Sequence, residues 1–345
     1  MPSPKKLPAG RVARATRAGR IAIVGRPNVG KSTLLNALLG EPIAITSKHP
    51  QTTRDQILGV VTDGDAQFIF VDTPGVHRAR HKLGERMNTL ARDAAREADV
   101  VVFMTDVGND ARTLMSEEDR AILAHLPKLP TILVLNKVDR IKDKTDLLKI
   151  LAGHSKEHDF KAIVPMSAQR EGVRAAARTK GQKVDEGIKA LLSELRELLP
   201  EQEKPYDDDT LSDKPVRFFV AEFVREQILR KTFQEVPHGV AVVVERFDEP
   251  SAKELAKSAD APTRIELAIH VDREAHKGIL IGARGAMLKE VGTQARVKVE
   301  TMLGKHVHLQ LWVRVTPKWF ESDARLKELG YAGAGPTAST GKEDE

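Results

Sequence analysis

The chain has 345 residues, with 55 Lys and Arg against 49 Asp and Glu, and no cysteine. That length suggests two domains, and the lack of cysteine excludes disulfides, a thiol nucleophile and thiolate metal sites. No apolar run is long enough to span a membrane, and the N-terminus lacks the apolar stretch of a signal peptide.

The net charge of +6 sits at one end. Lys5, Lys6, Arg11, Arg14, Arg17 and Arg20 precede the first acid, and the rest of the chain sums to zero. Residues 1–19 are therefore read as a disordered basic arm. Its role stays open between contact with nucleic acid or anionic lipid, solubilisation, and organelle targeting.

Ile21–Val24 is a short apolar run ending at Gly25, and it reads as a buried strand. A helix is expected over Ser32–Leu39, then paired strands Ile57–Val61 and Gln67–Val71 around the Asp63-Gly64 turn. Next come a helix (Leu83–Glu97), a strand (Val100–Met104), a helix (Ser116–Leu126) and a strand (Thr131–Leu135). The series ends with a helix (Lys144–Leu151), a strand (Ala162–Pro165) and a helix (Val184–Leu199). Such alternation predicts an α/β domain over residues 20–199, a mostly parallel sheet covered by helices on both faces.

Residues 200–216 carry Pro200, Pro205, Pro215 and Asp207-Asp208-Asp209, so they read as an acidic linker. Beyond it the order becomes helix (Ala221–Phe233), strand (Val240–Arg246), strand (Arg264–Val271), a short turn of helix, Gly282-Ala283-Arg284-Gly285, helix (Ala286–Leu303) and strand (His306–Val315). This predicts a smaller α+β domain over residues 217–320. Helical spacing makes Phe219 and Phe223 core residues rather than stacking platforms. Residues 321–345 are read as a mostly disordered tail.

Gly25-Arg26-Pro27-Asn28-Val29-Gly30-Lys31-Ser32 matches G-x-x-x-x-G-K-[ST] between a strand and a helix. Its backbone N–H groups would cradle phosphate, Lys31 would meet the β- and γ-phosphates, and Ser32 would ligate Mg²⁺. Asp72-Thr73-Pro74-Gly75 ends a strand, where Asp72 can hold Mg²⁺ through water and the Gly75 N–H can sense a γ-phosphate. Gln51-Thr52-Thr53-Arg54-Asp55 lies where a switch loop belongs, with Thr53 the first candidate Mg²⁺ ligand and Thr52 the second. Lys31, Thr53, Asp72 and Gly75 are thus the expected catalytic set.

Asn136-Lys137-Val138-Asp139 follows another strand. Asn136 and Asp139 are expected to read guanine: a carboxylate there accepts N1–H and N2–H₂ of guanine, whereas adenine would leave Asp139 buried and unpaired. Sites of that kind reject the wrong ligand by roughly 10⁴–10⁵, so GTP and GDP are expected. Ser167-Ala168 is placed to offer backbone N–H to guanine O6. These elements, over residues 21–168, resemble the translation-factor-like GTPases.

Many GTPases carry a water-orienting Gln where this chain has Val76. Slow intrinsic hydrolysis is expected. Asn28 resembles the cation-liganding Asn of potassium-activated relatives; its alternative is a residue tolerating a tight turn.

The Gly282–Gly285 loop has the G-x-x-G form by which KH domains clamp four nucleotides of single-stranded RNA. Lys277, Arg284, Lys289, Arg296 and Lys298 surround it, against Glu290 alone. Lys277, Gly282, Ala283, Arg284, Gly285 and Lys289 are the expected RNA-binding residues. The alternative is a helix–turn–helix corner with a solvated face.

Together the halves resemble the Era family of ribosome-assembly GTPases. The likeness rests on Lys48, Pro50-Gln51-Thr52-Thr53-Arg54, Asp72-Thr73-Pro74-Gly75, Arg217-Phe218, Ala221-Glu222 and Arg225-Glu226. Glu235-Val236-Pro237-His238, the GxxG loop, Lys318-Trp319 and Leu329-Gly330-Tyr331 complete it, over about residues 20–331. It implies a KH type II domain that binds near the 3′ end of small-subunit (16S) rRNA, with GTP-dependent attachment to the assembling 30S subunit. It also implies a cytoplasmic protein with peripheral contact at the inner face of the plasma membrane. A monomer without a DNA partner is expected. Residues 170–183 read as a surface insertion. The rival reading is a membrane- or protein-bound switch whose second domain binds no RNA.

Overall fold

In a computed structural model of the chain, the described residues are 16–47, 49, 52–77, 79, 81–108, 115–170, 186–232, 236 and 239–331. Most of the basic arm, Lys48, Pro50, Gln51, most of the insertion, Phe233, Glu235, Pro237, His238 and the last residues of the tail lie outside them.

The first domain holds β1 (Arg17–Val24), α1 (Lys31–Leu39), β2 (Ile57–Asp63), β3 (Ala66–Asp72), α2 (Lys82–Arg96) and β4 (Val100–Asp106). It continues with α3 (Glu117–Leu123), β5 (Thr131–Asn136), α4 (Lys144–His154), β6 (Ala162–Pro165) and α5 (Glu186–Leu198). The sheet order is β2-β3-β1-β4-β5-β6, parallel except for the β2–β3 pair. Strands buried on both faces explain the continuous apolar runs. Ile21, Ile23, Val100 and Val102 pack with Leu34, Leu35, Leu191 and Leu195 on one face. Ala22, Val24, Val101 and Phe103 pack with Ala94, Ala95 and Ile122 on the other.

The chain order reverses at β1, which pairs with both β3 and β4. Loops leaving the carboxyl ends of strands at such a switch point form a ligand crevice. Here those loops are the residues after Val24 and Asp72.

β1 starts at Arg17, inside the expected arm. The reason is local. Arg17 Nη1 donates to the carbonyls of Arg196, Glu197 and Leu199 at 3.2, 3.3 and 3.2 Å, where α5 ends. A cation is favourable at a helix C-terminus, so this arginine belongs to the fold.

The linker adheres to the sheet edge. Val60 N donates to Leu211 O at 3.0 Å, the Ser212 hydroxyl donates to Leu58 O, and the Tyr206 and Gln67 groups bond reciprocally at 2.9 and 3.0 Å. β2 thus meets chain on its outer edge.

The second domain contains α6 (Val216–Lys231), β7 (Val240–Asp248), α7 (Ala252–Lys257), β8 (Thr263–Val271), α8 (Glu274–Ile281), α9 (Ala286–Leu303), β9 (Val307–Val315) and α10 (Asp323–Glu328). β7 and β8 are antiparallel and β8 and β9 parallel, the sheet of a KH type II domain. α6 begins five residues before the sequence suggested, at a Pro215 N-cap whose φ of −66° leads into a helix. The short α7, closed by a Ser251–Glu254 capping box, was not expected from the sequence. Phe219 and Phe223 are buried, as helical spacing predicted.

Residues 321–331 of the expected tail are folded. Leu326 and Leu329 are buried, and the Tyr331 ring stacks on Trp319 at 5.6 Å. With Trp319 and Ala241 they pack on Leu83 and Met87 of α2. Residues 321–331 therefore join the two domains instead of trailing from the second.

Trp319 is fully buried at that junction. Trp319→Ala is expected to cost about 3–5 kcal/mol, read as a fall in the urea midpoint of the full chain. A loss below about 1 kcal/mol would contradict this packing account.

Candidate functional site

The loop after β1 turns into α1 with Gly30 as N-cap. Lys31 is buried, and its Nζ donates to Gly25 O at 3.0 Å and Arg26 O at 2.9 Å. Burial pushes the Lys31 ammonium down to about 8, against the opposing pull of Asp72. A partly desolvated ammonium at a helix N-terminus is suited to gripping an anion.

Asp72 closes β3 beneath it and is fully buried. Its Oδ2 accepts from Ser32 Oγ at 2.6 Å and from Thr53 Oγ1 at 3.4 Å, and the two hydroxyls lie 2.7 Å apart. Its Oδ1 is buried with no partner among the described residues. Burial raises Asp72 to about 6, opposed by Lys31 and the two hydroxyls. An orphaned carboxylate oxygen beside two hydroxyls is a donor set of hard oxygens, and it fits Mg²⁺.

Of the two switch threonines, Thr53 faces this cluster. Thr52 Oγ1 turns away, 2.6 Å from Ser47 Oγ and 2.7 Å from His49 O. Asp55 also turns away; its Oδ1 accepts from Gln56 N at 2.9 Å. Arg54 leaves the cluster for the second domain, where its guanidinium donates to Val240 O and sits over Trp319, 5.6 Å from the ring.

Gly75 has a steric reason to be glycine: a Cβ there would lie 2.7 Å from the Pro27 nitrogen. Thr73 Oγ1 donates to Ile23 O at 2.7 Å, and Val76 N donates to Gly25 O at 3.3 Å, so Pro74 and its neighbours lie along the phosphate loop. The Val76 side chain packs on the core beside Val24. It has no polar atom with which to orient water.

Three details add to the sequence reading. Arg26 points its guanidinium away from the cradle, with Nε donating to Asp119 Oδ1 at 2.9 Å. Asn136 spends its amide on the protein: Nδ2 donates to Val29 O at 2.7 Å, and Oδ1 accepts from Ala168 N at 2.9 Å. It ties the phosphate loop to the Ser167-Ala168 segment through its oxygen and one of its two amide N–H donors, and the Ala168 N–H is taken. Asp139 is exposed rather than buried; the ligand itself would have to cover it. Ser167 Oγ donates to Asp139 Oδ1 at 2.6 Å and fixes its carboxylate. Lys137, with a left-handed φ of 61°, donates to Asn28 O at 2.8 Å and pairs with Asp106, while Val138 N meets Met166 O at 3.3 Å.

In the second domain, Gly282 takes φ 70° and ψ 178°, and a Cβ on it would meet Met287 Cβ at 2.7 Å. Arg284 adopts a left-handed φ of 52° and is exposed with Ala283, next to Gly285. Lys289 is also exposed on α9, and Lys277 pairs with Glu274 at 3.5 Å. Lys298 is not part of this open face. It pairs with buried Glu226 and lies 5.4 Å from the Phe223 ring centroid. Glu290, in turn, pairs with Lys231. The exposed charge at the loop thus comes from Arg284, Lys289 and their neighbours.

Sequence reasoning gave no role to Arg225, Glu222 and Glu226 on α6; Arg225 reaches Thr52 O, Glu226 reaches Thr46 N, and Glu222 pairs with Arg225. Their only sequence signal was the family resemblance that Ala221-Glu222 and Arg225-Glu226 help to carry.

A strand–loop–helix phosphate cradle, a buried Asp at a strand end and an Asn-Lys-x-Asp element, followed by a KH sheet with a GxxG loop, define a P-loop GTPase fused to a KH type II domain. Family models agree: one described as a 50S ribosome-binding GTPase matches residues 20–137, and a KH domain matches residues 235–320. The GTPase Era of Ruminiclostridium cellulolyticum is 41% identical, aligned over 91% of this chain and 97% of its own length. That of Trichlorobacter lovleyi is 40% identical over 91% and 98%. A crystal structure of Era in complex with MgGDPNP and nucleotides 1506–1542 of 16S ribosomal RNA superposes with a TM-score of 0.81 at 35% identity, covering 92% of this chain and 99% of that one. A variant of Aquifex aeolicus Era bound to GDP and aluminium fluoride gives 0.81 at 36%, covering 92% and 100%. The chain belongs to the Era family of GTPases.

If Asp139 reads guanine, Asp139→Asn should weaken GTP binding by roughly a hundredfold or more. It should also gain affinity for xanthosine triphosphate, whose O2 matches the new amide donor. Competition against a fluorescent nucleotide measures both; retained preference for GTP would refute the assignment.

Proposed function

We propose that this GTPase binds the 3′ end region of small-subunit 16S rRNA and assists assembly of the 30S subunit as a slow nucleotide switch. The observation that carries this is the pairing of a complete phosphate cradle with an exposed, positively charged GxxG loop in one fold. The relative solved with MgGDPNP and 16S rRNA nucleotides 1506–1542 supports it, because that protein aligns over both domains.

In this reading Gly25–Ser32 hold the phosphates, Lys31 balances their charge, and Gly75 senses the γ-phosphate. Ser32 and Thr53, with Asp72 through water, would hold Mg²⁺, which would supply further positive charge to the phosphate oxygens. Asp139 orients guanine, while Asn136, Lys137 and Ser167 brace the loops around it. Gly282–Gly285 admit the RNA backbone, and Arg284, Lys289 and Lys277 meet its phosphates.

The absence of a water-orienting side chain at Val76 supports slow turnover. K⁺ at Asn28 would supply charge beside the phosphates. The left-handed φ of 64° at Asn28 also suits the plain turn role. Hydrolysis in KCl against NaCl separates the two; equal rates refute the cation site. Cytoplasmic residence, with peripheral contact at the inner membrane face, belongs to the same reading. Among the described residues no helix is long and apolar enough to cross a membrane.

The full chain should bind a short single-stranded RNA copying the 16S 3′ end more tightly with a GTP analogue than with GDP. Arg284→Glu should weaken that binding about tenfold or more and leave GTP affinity unchanged. RNA affinity that survives the substitution would refute the GxxG assignment. No RNA binding in any nucleotide state would refute the whole reading.

A further inference from the structure

Switch residues on both sides of Thr53 are gripped by the second domain. Arg225 on α6 is buried, donates from Nη2 to Thr52 O at 2.6 Å and from Nε to Glu222 Oε1 at 2.7 Å. Glu226, one residue on, accepts from Thr46 N at 3.3 Å. On the far side of Thr53, Arg54 is buried against Val240 O and lies 3.5 Å from the Tyr331 hydroxyl.

We propose that Arg225 is a positioning residue for Mg²⁺ and GTP, acting across the domain boundary through the Thr52 carbonyl. That carbonyl belongs to the peptide that carries the Thr53 nitrogen. Turning it swings Thr53 Oγ1 away from Ser32 and Asp72. A displacement of about 1 Å in such a site can cost a hundredfold. A buried guanidinium bonded to a backbone carbonyl is directional, as apolar packing is not. Burying that charge is tolerable because Glu222 neutralises it.

Coupling follows in both directions. If Arg225 holds Thr53 for Mg²⁺ and the γ-phosphate, then those ligands hold α6 against the switch. GDP lacks the γ-phosphate and gains nothing from this contact. The second domain therefore contributes to choosing GTP over GDP without touching either nucleotide.

The inference rests on GTP and Mg²⁺ occupying the cradle. Its test uses the full chain, a non-hydrolysable GTP analogue, GDP, and a Mg²⁺ titration read by equilibrium binding. Arg225→Gln should weaken the analogue about tenfold, raise the Mg²⁺ midpoint several-fold, and leave GDP within twofold. A folded variant with the unaltered Mg²⁺ midpoint overturns the proposal, as does equal loss of GDP and analogue. If Arg225→Gln does not fold, the double variant Glu222→Gln, Arg225→Met removes both charges of the pair and carries the same comparison. A third measurement needs no variant. Amide exchange over residues 220–229 should slow with Mg²⁺ and the analogue but not with Mg²⁺ and GDP. Identical exchange in both states overturns the proposal. Failure of the unaltered chain to bind the analogue would instead overturn the GTP reading itself.

Discussion

A carboxylate taken out of water must be matched by positive charge and hydrogen-bond donors, and Asp72 is the carboxylate around which this chain is arranged. It ends a strand buried on both faces, at the point where the sheet order reverses. Ser32 and Thr53 satisfy one of its oxygens, and the other has no partner among the described residues. Lys31 stands close enough to oppose its protonation. The pocket is thus short of cationic charge at one oxygen and lies beside the N–H groups that open α1. Both features suit a nucleotide that arrives with its metal.

That constraint extends outward through Thr53. The hydroxyl serves Asp72, while the flanking residues serve the second domain through Arg225 and Arg54. The switch segment is therefore not a surface loop in the ordinary sense. Thr53 and Arg54 are as buried as core residues. Loops become mobile where buried contacts are few, and here the contacts lie between domains.

Much of the first domain was legible because its signals are local. Apolar runs of strand length, a glycine-rich turn and a following helix lie within about twenty residues of one another. The strand, the turn and the start of α1 could be placed from that spacing alone. The choice between Thr52 and Thr53 could not, since both hydroxyls suit a metal and only the turn at Ser47 and His49 decides. Asn136 was read with Asp139 as a guanine contact, and the spacing gave no sign that its amide also joins two loops far apart in sequence. The charge of Arg17 made it look like tail, although its role is to cap α5. The α10 segment was missed because Leu326 and Leu329 are a weak pattern for a helix, and their partners Leu83 and Met87 are some 240 residues away. The α6 contacts have the same character: nothing in Arg225 or Glu222 says which loop lies opposite.

The linker's attachment to β2 limits how the two domains can move. It is fastened as far as Ser212, and α6 begins at Val216. Asp213, Lys214 and Pro215 are what remains between the two anchors, a tether of roughly 10 Å when fully extended, with one φ fixed by the proline ring. So short a tether permits pivoting but no departure. Released from the switch, the RNA-binding domain would stay within about a side chain's length of its hinge, at an effective concentration no free partner could match. Re-docking would then be a swivel rather than a search, and the nucleotide would set the angle at which the GxxG loop is presented.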